Sequence, residues 1–193
     1  CRDCSSNIES KYFIVELISA LSFVFIFYLF GFTSTTILFF ILSICFLIII
    51  FIDLKHFIIP NEITYTLIAI GFLKSFDPTL NQYLFPNYIN SLIGGGVGYS
   101  IIWIIIFVYK KLRNKEGMGL GDAKLLSALG FWFGWISIPF ILFFSSIVAL
   151  GFALPSLINK SKTMSSQIPF GPYLVLGCVL YLLLLEQIIL YLN

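Results

Sequence analysis

Charged residues are scarce in this sequence. Only 10% of its 193 residues are Asp, Glu, Lys or Arg, 60% are apolar, and the mean hydropathy is +1.04. A water-soluble domain of this size does not need so much apolar surface, so we expect a polytopic membrane protein surrounded by a lipid bilayer. The net charge is only +2 and the basic residues are scattered in short loops. This leaves no electrostatic surface for nucleic acid, and we expect no nucleic-acid partner.

Two other patterns are missing. The first apolar run, residues 13–32, has no small-residue cleavage pattern, and further apolar runs follow it, so it is not a signal peptide. No convincing internal repeat is present, although many transporters are built from such repeats. The sequence therefore indicates a first transmembrane helix and disfavours a transporter.

The apolar runs predict an all-α fold, a polytopic transmembrane bundle with about seven spans. The expected ranges are 13–32, 36–52, 63–73, 91–109, 122–135, 137–157, and a last span that follows 168–172 and ends near 192. The fifth is short for a complete span, so we expect it to tilt, to begin in the interface, or to line a water-filled cavity. The fourth carries four small residues that favour close helix packing: Gly94, Gly95, Gly96 and Gly98.

The distribution of basic residues predicts the orientation. With seven spans and a cytoplasmic N-terminus, all 11 Lys and Arg residues except Lys74 fall on the cytoplasmic side, as the positive-inside rule requires. Asp53 ends the second apolar run and Asp122 begins the fifth, so both acids are expected at the cytoplasmic face. Trp132 and Trp135 fit an aromatic belt.

Asp122 closes the run Glu116-Gly117-Met118-Gly119-Leu120-Gly121-Asp122. Acids at membrane depth are costly, so each is a functional-site hypothesis. Taken alone, Asp122 is equally well explained as a helix N-cap, and Asp53 is better explained as a solvated interface residue than as a functional one. Two acids at the same depth favour a shared role.

The chemistry that needs two such acids is peptide hydrolysis, in which one carboxylate takes a proton from water and the other donates one. Two carboxyl groups held close together share a single proton. Gly119 and Gly121 would leave room for an extended substrate backbone. Two alternatives stay open: a proton- or ion-coupled transporter, and an inactive membrane assembly component.

Three motifs carry a resemblance to a known family. Asp53 with Ile59-Pro60-Asn61, the run ending in Gly119-Leu120-Gly121-Asp122, and Ile168-Pro169-Phe170-Gly171-Pro172-Tyr173 together resemble the type IV prepilin peptidases. These are Gly-x-Gly-Asp membrane aspartyl proteases. The resemblance implies that Asp53 and Asp122 are catalytic. It also implies cleavage of the basic leader of a prepilin or pseudopilin at the cytoplasmic face of the bacterial inner membrane, without a cofactor.

The resemblance extends to the first residues. Cys1-Arg2-Asp3-Cys4 has the spacing of half a four-thiolate zinc site, and a lipidated Cys1 is the rival interpretation. The family pattern makes Cys1 and Cys4 the second zinc pair, with residues 1–12 as a remnant of a cytoplasmic cysteine region and 13–193 as the peptidase domain. Many family members also methylate the new N-terminus, so zinc and S-adenosylmethionine are expected cofactors of an intact protein with an upstream part.

Three further residues border the expected site. Glu16 lies about one turn inside the first span and matches a family Glu, although an interface acid that reaches water is the alternative. Lys124 would either favour the ionised form of Asp122 or act as a positive-inside anchor. Asn61 stands where many relatives carry an acid, which leaves the pair Asp53 and Asp122 intact.

Overall fold

The computed structural model describes residues 10–80, 84–113, 118–158 and 169–192. These ranges form seven helices and no strand, which confirms the all-α prediction. The helices are α1 (Ser10–Phe30), α2 (Ser34–His56), α3 (Asn61–Lys74), α4 (Tyr88–Arg113), α5 (Leu120–Phe133), α6 (Ser137–Ile158) and α7 (Gly171–Leu192). Each expected span corresponds to one helix, with its ends shifted by a few residues.

The helices differ in their ability to cross a membrane. In the described part of the chain, α1, α2 and α4 are long and apolar enough to span it, and α6 and α7 contain shorter apolar stretches, Ser137–Ala153 and Gly171–Leu185. The helices α3 and α5 have only 14 residues each. At about 1.5 Å per residue they reach roughly 21 Å, less than the ~30 Å hydrocarbon core. The expectation of a short fifth segment is therefore confirmed.

The chain divides into two compact units, Cys1–Ile48 and Ile49–Asn193. In the first, α1 turns into α2 at Gly31, whose φ of +58° favours glycine. The Thr36 hydroxyl donates to the Gly31 carbonyl oxygen at 2.6 Å and so closes this turn. Stacked phenylalanine rings join the two helices, with ring centroids 4.6 Å apart for Phe23 and Phe40.

The second unit is built around α5. This helix contacts α3, α4, α6 and α7, and ten of its 14 residues are buried. A helix that is buried on all sides has to be apolar or small-sided around its whole circumference, as α5 is from Leu125 to Phe133, after its first turn with Asp122 and Lys124. Its short length follows from the same environment, because a helix enclosed by protein has no need to match the thickness of the bilayer.

Glycines bring α4 and α5 into backbone contact. A Cβ atom added at Gly94 would overlap the carbonyl oxygen of Gly130, and one added at Gly98 would lie 2.6 Å from that of Leu126. The Ser127 hydroxyl donates to the Gly95 carbonyl oxygen at 2.9 Å across the same interface. The prediction of close packing is confirmed for Gly94, Gly95 and Gly98, whereas Gly96 faces open space.

Gly130→Ala is expected to destabilise the fold by about 1–3 kcal/mol, because the added methyl group forces α4 and α5 apart. Thermal unfolding in detergent measures the effect. Gly96→Ala is the matched control and should be neutral or slightly stabilising, since nothing lies within 4 Å of its added methyl group. Equal unfolding temperatures for the two variants would show that the α4–α5 contact is looser than described.

Lys74, the last residue of α3, is buried against the C-terminal end of α5. Its ammonium group donates to the Trp132 carbonyl oxygen at 2.9 Å and lies 3.7 Å from the centroid of the Phe85 ring. A cation at a helix C-terminus satisfies a carbonyl oxygen that has no partner within the helix. The aromatic-belt interpretation of Trp132 is wrong, because the side chain is 0% exposed and its indole N–H donates to the Leu67 carbonyl oxygen at 2.8 Å.

Lys74→Met is expected to lower the free energy of unfolding by about 1–3 kcal/mol, since the Trp132 carbonyl group loses its charged donor in a buried environment. Thermal unfolding of the detergent-solubilised protein reports this loss. Lys55→Met removes an exposed lysine from α2 and serves as the control. A variant at position 74 that unfolds at a higher temperature would show that desolvation of the ammonium group outweighs its contacts.

Candidate active site

Asp53 lies in the last turn of α2 and is only 4% exposed. Its carboxylate oxygen Oδ2 accepts a hydrogen bond of 3.0 Å from the backbone N–H of Gly171, the first residue of α7. The first N–H groups of a helix have no partner within it, and the helix dipole favours a negative charge there. The start of α7 therefore holds the carboxyl group of Asp53 in one place.

Asp122 is the third residue of α5 and is 7% exposed. Its backbone N–H donates to the carbonyl oxygen of Gly119 at 3.2 Å, which closes the first turn of the helix. Gly119 itself has no side chain to cap α5, and Asp122 is the acid of the first turn.

The structure brings the two acids together. Burial, and after it the nearby charge of Asp53, raise the pKa of the Asp122 carboxyl group above its usual range. Both carboxyl groups are removed from water, and two like charges in such surroundings are costly. The pair is therefore most stable when it holds one proton and one negative charge, which is the state that acid–base chemistry on water requires.

Ile59 fills the space beside the acids. A Cβ atom added at Gly121 would lie 3.1 Å from the Cβ of Ile59, and one added at Gly171 would lie 3.0 Å from its Cδ1. The same added atom at Gly171 would lie 2.7 Å from Oδ2 of Asp53. Larger residues at either glycine would therefore displace Ile59 or the carboxylate. A side chain could be added at Gly119 without a clash, because an added Cβ would make only ordinary contacts, 3.8 Å from Oδ2 of Asp122 and from the Gly121 nitrogen.

Residues 40–154 match the sequence model of the type IV leader peptidase family. The chain belongs to this family. The match includes Asp53, Ile59 and Asp122, the three residues that define the core of the site described above. The same family was expected from the sequence motifs, and that expectation is confirmed.

Several proteins named prepilin leader peptidase/N-methyltransferase are similar to this family member. The Aeromonas salmonicida protein is 34% identical over 184 residues, which are 92% of this chain and 59% of the relative. The Xanthomonas campestris protein is 37% identical over 171 residues, 88% of this chain and 58% of the relative. The Pseudomonas aeruginosa protein is 32% identical over 189 residues, and the match covers 97% of this chain and 63% of the relative. The chain thus spans about three fifths of these relatives. No solved structure matches it.

The structure places the other expected site residues of this leader peptidase family member in different surroundings. Lys124 lies one turn into α5, and its ammonium group donates to the amide oxygen of Asn61 at 2.7 Å. Glu16 is exposed on α1, in the first compact unit. Cys1 and Cys4 lie outside the described residues. Within the described ranges, no three His, Cys, Asp or Glu side chains form a group suited to a metal ion.

Two residues of the site were missed by the sequence interpretation. Gly171 belongs to the third family motif, but nothing in its local sequence shows that its N–H meets Asp53. Ile59 belongs to the first family motif, but its contact with both glycines depends on how α5 and α7 pack, which the local sequence does not show. The signal that pointed to Gly171 was the family motif itself, Pro169-Phe170-Gly171-Pro172.

Proposed function

We propose that this protein is an aspartic endopeptidase that removes the leader peptide of type IV prepilins or pseudopilins. The observation that carries the proposal is the meeting of Asp53 and Asp122, two buried acids from different helices, in a member of the leader peptidase family. Buried acids are costly to maintain in a membrane protein. A pair of them that share one environment is well suited to proton transfer.

The reaction follows from the pair. The ionised carboxylate takes a proton from a water molecule, whose oxygen attacks the carbonyl carbon of the scissile peptide bond. The protonated acid donates its proton to the carbonyl oxygen, and a neutral tetrahedral intermediate forms. When this intermediate collapses, the C–N bond breaks and the leaving nitrogen takes up the proton that the first carboxylate received from water. A hydroxyl group of the intermediate returns its proton to the other acid, so that an amine and a carboxylic acid result and the pair again holds one proton. Neither Asp53 nor Asp122 becomes covalently attached to the substrate.

The substrate has to reach the acids in an extended form, because a helix hides its carbonyl groups in internal hydrogen bonds. The space at Gly119 supports this, since it lies next to Asp122 and an added Cβ there would meet no close neighbour. We place the site at the cytoplasmic face of the bacterial inner membrane. This orientation rests on the distribution of Lys and Arg residues. The same residues would contact the lipid headgroups of that face.

We extend the proposal to methylation of the new N-terminus by S-adenosylmethionine, on the basis of the relatives' names. Cys1 and Cys4 would supply two thiolate ligands to a zinc ion.

The test is zinc content, measured by metal analysis of the purified protein and of its Cys1→Ser and Cys4→Ser variants, together with transfer of a labelled methyl group. Equal zinc content in all three would remove both cysteines from the proposal.

The cleavage experiment uses the purified protein in detergent or liposomes with a prepilin whose basic leader precedes an apolar segment. Mass spectrometry of the products should show one cut and the mass of one added water. An uncut substrate, together with proton flux in liposomes, would favour a transporter instead. An uncut substrate that still binds would favour an inactive assembly component.

A further inference from the structure

The segment that joins α2 to α3 runs directly over the site. We call residues 57–60 the α2–α3 turn. Phe57 has a φ of +57°, a left-handed conformation that is rare for an aromatic residue, and its N–H donates to the Asp53 carbonyl oxygen at 2.9 Å. Such a conformation persists only where its surroundings hold it. Two contacts hold this turn, one at Ile59 within it and one at Asn61, the residue that follows it.

The contact at Asn61 joins the turn to α5. Asn61 is the first residue of α3, and its amide oxygen accepts the 2.7 Å hydrogen bond from Lys124. Lys124 lies two residues beyond Asp122, and its ammonium group also lies 5.2 Å from the centroid of the Tyr65 ring on α3. The acceptor is a neutral amide, so this is a directional bond between two elements and not the neutralisation of two charges.

We propose that Lys124 and Asn61 are positioning residues for the two acids. Their hydrogen bond fastens the α2–α3 turn to α5, and Ile59 fills the gap beneath it against Gly121 and Gly171. Asp53 lies in the last turn of α2 and its carbonyl oxygen accepts the Phe57 N–H, while Asp122 lies in the first turn of α5, so the fastening fixes how the two carboxyl groups face each other. This inference rests on the proposed function for its kinetic consequences, but its geometry can be tested without any activity.

A different role for Lys124 makes different predictions. If its positive charge acted on Asp122 directly, the partner amide would be irrelevant and only Lys124 variants would lose activity. If the hydrogen bond positions the acids, Asn61→Leu and Lys124→Met break the same contact and should have the same effect. The two interpretations therefore differ in the activity that they predict for Asn61→Leu.

The kinetic test compares Lys124→Met, Asn61→Leu and the double variant in prepilin cleavage. Each single change should lower kcat by about 10- to 100-fold with little change in KM, because small displacements of reacting groups are costly. The double variant should be no slower than either single variant. Asn61→Asp, which keeps an acceptor oxygen, should retain nearly normal kcat. The neighbouring Glu62→Gln is the control. Full activity of Asn61→Leu would overturn the proposal.

A distance measurement tests the same proposal when no cleavage is seen. Leu54 and Leu120 are both about half exposed and lie within two residues of Asp53 and Asp122 in sequence. Leu54→Cys and Leu120→Cys, in a protein whose four native cysteines are replaced by alanine, can carry nitroxide labels for pulsed electron paramagnetic resonance. The distance distribution should be narrow in the parent and equally broadened by Lys124→Met and Asn61→Leu. Unchanged distributions would reject positioning, whereas an inactive parent with the expected broadening would reject only the proposed function.

Discussion

Replacement of either Asp53 or Asp122 by asparagine is expected to lower the rate of leader cleavage by about 10²- to 10⁴-fold. Asparagine keeps the shape of the side chain but cannot carry the negative charge or the transferable proton. Because the proposed reaction needs both acids in the same proton-transfer step, the double variant should be hardly slower than either single one. Cleavage is measured as the rate at which the shortened prepilin appears, by gel shift or mass spectrometry.

The control for these variants is Asp77→Asn. Asp77 lies between α3 and α4, where its carboxylate accepts hydrogen bonds from the N–H and hydroxyl of Thr79. The change is chemically the same, but Asp77 is distant in sequence from either acid, and within the described residues the hydrogen bonds of its carboxylate lie in its own turn. Its variant should cleave at the normal rate. Normal cleavage by Asp53→Asn or by Asp122→Asn would show that the assigned pair is wrong.

Stability provides a second readout for the same variants. The two carboxyl groups are buried and disfavour each other's charge, so holding them together lowers the free energy of unfolding. The Asn variants should therefore unfold at the same or a higher temperature than the parent while losing activity. This combination distinguishes a catalytic loss from a folding defect.

The sequence predicted most of what depends on local composition. The apolar runs predicted the positions of the helices, because a backbone in lipid has to satisfy its own hydrogen bonds. The glycines at 94, 95 and 98 predicted close packing because small side chains permit it in any environment. The two acids stood out because charge at membrane depth is costly and therefore rare. Each of these inferences needs only neighbouring residues and one physical rule.

The remaining features depend on contacts between distant segments. Lys74 counted in the sequence as a loop cation, yet its ammonium group caps α5, 58 residues further along. Trp132 fitted an interfacial belt, although its indole is buried beside α3. Gly171 lies 118 residues from Asp53, and the sequence around either residue does not predict their hydrogen bond. Such pairings are decided by how helices pack, which a single sequence without its relatives does not reveal.

Gly171→Ala is expected to lower cleavage by about 100-fold, because its new Cβ would lie 2.7 Å from Oδ2 of Asp53 and force the carboxylate out of its position. The backbone donor remains, so the loss would come from displacement and not from a missing hydrogen bond. Gly151→Ala is the matched control, since it adds the same methyl group in a helix where nothing lies within 4 Å. The control should cleave normally.

A second change identifies which contact matters. The added methyl group of Gly171→Ala would also lie 3.0 Å from Cδ1 of Ile59, an atom that valine lacks. If crowding against Ile59 caused the loss, Ile59→Val would restore activity to Gly171→Ala. Because the carboxylate oxygen is the nearer atom and is held between the turn and α7, we expect little restoration. Recovery of the normal rate in the double variant would show instead that the loss came from crowding against Ile59, and that the Asp53 carboxylate tolerates the added methyl group.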